Sequence, residues 1–287
     1  MTVARSASEL ERRPRAVAIG TFDGVHRGHQ QVLAAAADTG LVPTVVTFDP
    51  HPRVALGYGV ELLSTLERRL ELLAELGVAE TVVVEFTLDV ARLEPEEFAR
   101  EFLEAIGTRV IVANDGFRFG RGRRGDLALL RGLGFEVLET PLVEGVSSTE
   151  IRRLIRDGDA RGAARLLGRP VEVEGTVVAG DARGGTLGFP TANLAPPANL
   201  LVPAYGIYAG AALGHRAAIS IGTNPHYGGE ERRVEAFLLD YEGELYGERL
   251  VVELWQRLRD EQVFASEQAL IERIARDVEE TRRATRP

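Results

Sequence analysis

The sequence predicts an α/β domain built on a parallel sheet, followed by an antiparallel β-barrel or sandwich that closes with a helix. Three observations carry this. In the first half, short apolar runs rich in β-branched residues alternate with helical patterns. From about Val171 onward strands dominate, punctuated by glycine and proline, and the two regimes meet at Gly168-Arg169-Pro170. Strands alternating with helices read as βαβ units whose sheet is covered on both faces. Closely spaced strands separated by turn residues read as antiparallel structure.

Taken in order, strands are expected at 16–20, 43–49, 81–86, 109–114 and 135–138, with helices at 30–37, 66–76, 95–106 and 126–133 between and after them. Two further helical segments, 149–156 and 160–167, precede the junction. Beyond it, strands are expected at 171–178, 207–213, 217–221, 234–239 and 249–253, and an amphipathic helix at 266–282. A chain of 287 residues accommodates about two such domains.

Composition narrows the function classes. A formal net charge of −9 argues against a general nucleic-acid binder, which presents a basic face to phosphate. No run of about 18 or more apolar residues occurs, so neither a membrane span nor a membrane partner is expected. The opening MTVARSASELERRPR lacks the apolar centre of a secretory leader and reads as a short disordered lead-in. The absence of cysteine removes disulfides, thiolate metal ligands and cysteine nucleophiles, and a cytoplasmic protein fits best, monomeric or weakly self-associating. One local exception to the acidic balance is Arg118, Arg121, Arg123 and Arg124, interleaved with glycines. It reads either as a solvated loop or as a mobile loop whose guanidinium forks meet substrate phosphates.

The most informative segment is Gly20-Thr21-Phe22-Asp23-Gly24-Val25-His26-Arg27-Gly28-His29, which follows the first expected strand and opens the first helix. At that place an α/β sheet binds nucleotides, because backbone N–H groups and the helix dipole favour phosphate. Gly20 and Gly24 let the backbone bend and approach a ligand closely. His26 and His29 can donate hydrogen bonds to phosphate oxygens, and an imidazolium would offset charge on a pyrophosphate leaving group. Later, Ser147-Ser148-Thr149-Glu150-Ile151-Arg152 places hydroxyls at a helix start, where they cap it or bind phosphate, with Arg152 one turn in.

In the second half, Gly180-Asp181-Ala182-Arg183-Gly184-Gly185-Thr186-Leu187-Gly188-Phe189-Pro190-Thr191-Ala192-Asn193 follows a strand. Its glycines suit a backbone that wraps anionic groups, although no Gly-Lys-Ser/Thr follows and it is not a Walker loop. Thr191 and Asn193 alternate in an extended segment, so both side chains face one way. They read either as a structural turn or as two neutral oxygen ligands of a Mg²⁺ ion shared with nucleotide phosphates.

The first of these segments resembles the HxGH signature of nucleotidyltransferases, in the GxFDGVHxGH form of bacterial bifunctional riboflavin kinase/FMN adenylyltransferases. Ser148, Thr149 and Arg152 match that family's Ser-Thr-x-x-Arg element, Thr47-Phe48-Asp49-Pro50-His51-Pro52 resembles its TFxPHP element, and Phe117-Arg118-Phe119-Gly120 resembles its flavin-pocket stretch. Leu187-Gly188-Phe189-Pro190-Thr191-Ala192-Asn193 resembles the LGFPTAN hallmark of flavokinases. Ser220-Ile221-Gly222-Thr223-Asn224-Pro225 and Val234-Glu235-Ala236-Phe237 follow in the family's order. The resemblance implies a Rossmann-like nucleotidyltransferase domain over 1–167 and a six-stranded antiparallel flavokinase barrel with a terminal helix over 168–287. It further implies ATP-dependent phosphorylation of riboflavin to FMN, then adenylylation of FMN by ATP to FAD with release of pyrophosphate. Carried over residue by residue, His26, His29 and Arg152 serve adenylyl transfer, and Gly20, Phe22, Gly24, Ser148 and Thr149 hold ATP phosphates. Gly180, Gly184 and Gly188 hold phosphates in the kinase half, Thr191 and Asn193 bind Mg²⁺, and Glu235 is the base toward the flavin 5′-hydroxyl. Asp115, Phe117, Phe119 and Asn224 contact flavin. Gly116 stands where the family has Asp or Asn, which moves that contact to Asp115 or Asn114.

Overall fold

The computed structural model describes residues 1–180, 188–223 and 232–287. The chain packs as two units, Met1–Glu61 with Thr65–Val146, and Leu62–Ser64 with Ser147–Pro287.

The first unit is a six-stranded parallel sheet of β1 (Thr2–Ala4), β2 (Arg15–Ile19), β3 (Val42–Asp49), β4 (Glu80–Glu85), β5 (Thr108–Asn114) and β6 (Glu136–Thr140), in the order β1-β4-β3-β2-β5-β6. Strand parity divides its core. Ala16 and Ala18 of β2 pack with the helix Arg27–Ala37 on one face, while Val17 and Ile19 join Phe98, Phe102 and Leu103 on the other. The order reverses between β2 and β5, and at such a switch point an open α/β sheet leaves a crevice at its carboxyl ends.

The opening residues correct the expectation of a disordered lead-in: Thr2–Ala4 pairs in parallel with Glu80–Val82, and Ala4 is buried. Three residues are too few to give a period, so only the partner strand reveals them as an edge strand. The basic run before β2 is also tied down. Arg15 is fully buried and donates from Nε to Glu80 Oε2 at 2.6 Å, from Nη1 to the carbonyls of Arg13 and Ile106, and from Nη2 to Glu11 O. Arg13 reaches the other Glu80 oxygen at 2.6 Å.

The second unit carries a closed antiparallel barrel in the order β10-β11-β8-β7-β12-β9. Its strands are β7 (Val171–Val178), β8 (Ala192–Ala195), β9 (Gly206–Ala212), β10 (His215–Thr223), β11 (Arg232–Leu238) and β12 (Arg249–Arg259). β8 escapes sequence patterning because it is four residues long and flanked by prolines. β12 runs six residues past its expected end, because irregular pairing with β9 between Leu254 and Gln256 and between Arg257 and Arg259 breaks the two-residue period. The helices Ser148–Arg156 and Ala160–Leu167 belong to this unit: Ile151, Ile155, Ala160, Ala163 and Leu167 share the core of the barrel strands. Leu62 pairs with the backbone of Asn199 and Leu201. The terminal helix, Glu267–Arg283, is capped by Ser266 and fastened by buried Asp277, which accepts from Arg259 and Arg273 at 2.7 Å.

Two outcomes follow from this packing. Burial opposes the charge on Glu80, yet hydrogen bonds from Arg15 and Arg13 outweigh it and hold the carboxyl below the usual carboxylate range. A depressed folded-state value stabilises above the unfolded value of about 4.3, and that stability is lost as pH falls through the folded one. Glu80→Gln strands a buried guanidinium and is expected to cost about 3–5 kcal/mol at neutral pH. Thermal melts from pH 7 downward should show the gap to the parent chain closing in acid. A fragment 168–287 lacks six buried apolar residues of its own core, five of which a fragment 147–287 restores, and is expected to melt well below that longer fragment in the same assay.

Candidate functional site

The sheet's carboxyl edge gathers the N-terminal candidates. Past β2, the backbone makes a sharp turn in which Phe22, Gly24 and Val25 all take positive φ (49°, 77° and 39°). Two of these are not glycine, and backbone strain of this kind concentrates at functional sites. The turn closes through Val25 N to Phe22 O at 3.0 Å and is tied to β3 by Thr47 Oγ1 donating to Thr21 O at 3.2 Å. Gly20 donates to Val46 O, and the buried Phe22 ring lies against its α-carbon.

His26 stands at the N-cap of the following helix, and its ring stacks on that of His29 with centroids 3.7 Å apart and planes 14° from parallel. Gly28 makes room, since a β-carbon there would come within 3.3 Å of the His26 ring. The Phe22 ring covers His29 from another side at 5.0 Å. Burial first, then the neighbouring His26 and Arg69, hold the His29 imidazole well below the ordinary histidine value. That direction opposes the imidazolium expected at His29 and favours a neutral ring with a single N–H. Its Nδ1 is buried and has no hydrogen-bond partner among the described residues.

At β5's carboxyl end, Asn114 O accepts from Phe117 N at 3.2 Å across a turn in which Gly116 takes φ +82°. Asp and Asn are the other residues that enter this left-handed region readily, so Gly116 keeps the turn while dropping the side chain. Asp115 is exposed. Phe119 is buried against Phe98, and the half-buried Phe117 lies nearly parallel to it at 5.8 Å. The arginine loop is pinned rather than open. Phe119 and Gly125 exchange backbone hydrogen bonds, and Arg121 and Arg124 both reach Glu94.

Ser148, Thr149 and Arg152 lie in the second unit. Ser147 Oγ caps their helix by accepting from Glu150 N at 3.1 Å, Ser148 and Thr149 form its first turn, and Arg152 is buried.

On the barrel, Val234, Ala236 and Leu238 of β11 point into the core, which turns Glu235 and Phe237 outward. Register places Asn193 of β8 directly opposite Glu235, with Ser220 of β10 on its other side. Thr191 Oγ1 donates to Glu235 Oε2 at 3.4 Å, and Phe189 meets Phe237 edge to face at 5.4 Å. Gly180 is required by close approach, because a β-carbon there would sit 2.2 Å from the Asn193 amide. Gly188 turns the chain with φ +86°. Gly184 and Asn224 lie outside the described residues.

Sequence reading missed Arg69. It occupies the buried stripe of the helix Leu66–Glu75 together with Leu72 and Leu73. A charged residue at an apolar-face position was the available signal.

The family described as "FAD synthetase" matches residues 8–152, and that described as "Riboflavin kinase" matches 167–285. The bifunctional riboflavin kinase/FMN adenylyltransferase of Listeria monocytogenes is 37% identical over 93% of this chain and 91% of its own length. That of Escherichia coli K12 is 36% identical over 96% of each. A solved structure from Streptococcus pneumoniae, described as a macrolide-efflux protein, superposes with a TM-score of 0.88 at 32% identity over 99% of each chain. No helix among the described residues of the present chain is long and apolar enough to cross a membrane. With both families matched in order and relatives aligned along nearly its whole length, the chain belongs to the bifunctional riboflavin kinase/FMN adenylyltransferases.

Proposed function

We propose that the chain phosphorylates riboflavin to FMN at the face around Glu235, then transfers AMP from ATP to FMN at the site that includes the stacked histidines. Adenylyl transfer is assigned to 1–167 and phosphorylation to 168–287, a division that differs from the packing boundary near residue 146. The observation that carries the reading is the pairing, in one chain, of the Glu235–Asn193–Thr191 cluster with the His26–His29 stack at a strand-to-helix turn.

In the kinase, Glu235 takes the proton of the riboflavin 5′-hydroxyl as that oxygen attacks the γ-phosphorus of ATP, the bond to the β-phosphate oxygen breaks and ADP leaves. Thr191 already orients the carboxylate through its hydrogen bond. A hydroxyl, an amide oxygen and a carboxylate within one small cluster are hard oxygen donors that fit Mg²⁺, which Thr191 and Asn193 would hold. Bound there, the ion neutralises charge on the nucleotide phosphates. Gly180 and Gly188, with Gly184, keep the backbone slim beside those phosphates, and Asn224 contacts the flavin.

In the adenylyltransferase, an FMN phosphate oxygen attacks the α-phosphorus of ATP and pyrophosphate leaves, with no covalent enzyme intermediate. Neutral His29 donates one hydrogen bond to the phosphates from a water-poor position, where such a donor is most effective. His26, Ser148, Thr149 and Arg152 add donors, Gly20 and Gly24 shape the turn, and Phe22 braces His29. Phe117, backed by Phe119, offers a face for stacking the flavin ring, and Asp115 a polar contact. The enzyme is assigned to the cytoplasm as a monomer or weak self-associate, without nucleic acid or membrane.

Glu235→Gln keeps the shape but cannot accept a proton. It is expected to fold and bind riboflavin while losing about 10²–10⁴-fold in kinase turnover. FAD formation from supplied FMN should persist, and retention of more than about a tenth of parent kinase turnover would remove Glu235 from the role. His29→Ala should reverse the pattern, lowering FAD formation by about 10²–10³-fold with FMN formation intact. Chromatography of the flavins produced from riboflavin and from FMN, run separately, reads both variants.

A further inference from the structure

Two arginines are fully buried in the first unit, and they are not equivalent. Arg15, at the amino edge of the sheet, has a partner on each of its three guanidinium nitrogens. Arg69 reaches the carboxyl edge. Its Nη1 donates to Phe48 O at 3.1 Å and lies 3.4 Å from Thr47 Oγ1. Its Nε and Nη2 are buried with no hydrogen-bond partner among the described residues. Burial works against the Arg69 charge and lowers its pKa, Asp23 and Asp49 lie close enough to oppose that, and neither accepts from those two nitrogens.

Leaving charged donors unpaired in the interior is costly, and such groups persist where a ligand completes them. Thr47, next to Arg69 Nη1, donates to Thr21 O of the turn between β2 and the histidine helix. His29, close enough for its protonation to feel the Arg69 charge, has a buried nitrogen, Nδ1, with no hydrogen-bond partner among the described residues. A ligand rich in oxygen acceptors and negative charge satisfies both residues at once.

We infer that Arg69 is a phosphate-binding residue of the adenylyl-transfer site, presenting Nε and Nη2 as a fork to the oxygens of the pyrophosphate that leaves ATP. The inference rests on the reading of this half as an FMN adenylyltransferase. Side-on Nε/Nη2 geometry fits two oxygens of one phosphate, and an ammonium cannot reproduce it. Arg69 thus differs from the histidines in carrying a permanent charge, whereas His29 is neutral there.

The reverse reaction isolates the site, because riboflavin phosphorylation takes no part in it. A pyrophosphate oxygen attacks the α-phosphorus of FAD, the bond to the FMN phosphate breaks, and FMN and ATP are released. With the full chain, Mg²⁺, FAD and inorganic pyrophosphate, FMN release is followed by chromatography. Arg69→Met is expected to raise KM for pyrophosphate about 10- to 100-fold, the size of a lost charge-assisted contact, with KM for FAD within about threefold. Arg69→Lys, which keeps the charge without the fork, should fall between the two. Riboflavin phosphorylation serves as the folding control for both variants. Should Arg69→Met not fold, Arg69→Lys decides, and a pyrophosphate KM equal to the parent's overturns the assignment. Equal increases in KM for FAD and pyrophosphate would make Arg69 a structural prop and also overturn it. A parent chain that releases no FMN from FAD and pyrophosphate fails the adenylyltransferase reading itself, and the Arg69 assignment falls with it.

Discussion

The register of β11 against β8 is the constraint on which the proposed kinase site depends. Alternation along β11 gives Val234, Ala236 and Leu238 to the core, so Glu235 must face outward. Pairing with β8 then fixes which residue it meets, and that residue is Asn193. A slip of one position would bury a carboxylate and expose an apolar row, a change the packed core opposes strongly. The face proposed for the kinase is thus held by hydrophobic burial on the opposite side of the same strand. The parallel sheet applies the same rule. Its alternating small and branched residues build two cores, and the polar residues are left for the strand ends.

Those ends divide the labour. At the amino edge, Arg15, Arg13 and Glu80 satisfy one another and close the bottom of the sheet. At the carboxyl edge, the turn after β2 carries strained φ values, a stacked histidine pair and an arginine with one committed nitrogen in three. Stability is concentrated at one edge and unspent hydrogen-bonding capacity at the other. The difference tracks the crevice that the reversal of strand order opens.

Much of this was legible in the sequence. Apolar runs in β2 to β5 and the hydroxyls of Ser147, Ser148 and Thr149 at a helix start place their elements within a few residues. His26, His29, Thr191 and Asn193 stand out by their placement at a strand-to-helix turn or alternating in an extended segment, and Glu235 only by the flavokinase resemblance. What stayed hidden depends on partners remote in sequence. Thr2–Ala4 is a strand only because β4 lies beside it, and Ala192–Ala195 only because β7 and β11 flank it. The helices before Gly168 read as the tail of the α/β half by pattern, but their apolar stripes pack in the barrel core. The neutrality of His29 also required the fold, since burial sets it. Arg69 looked like one charge among several in Leu66–Glu75 until its neighbours were in place.

The helix Ser148–Arg156 bears on how the enzyme comes into being during synthesis. Its Ile151 and Ile155 are anchored in a core contributed by strands that run almost to the end of the chain. It also carries Ser148, Thr149 and Arg152, which the proposed function gives to adenylyl transfer. The ribosome delivers the parallel sheet first, at about 5–20 residues per second. The helix that carries these three residues has no finished core to dock into until the last barrel strand has emerged. A nascent or prematurely terminated chain therefore presents these residues on a helix whose apolar stripe is still uncovered.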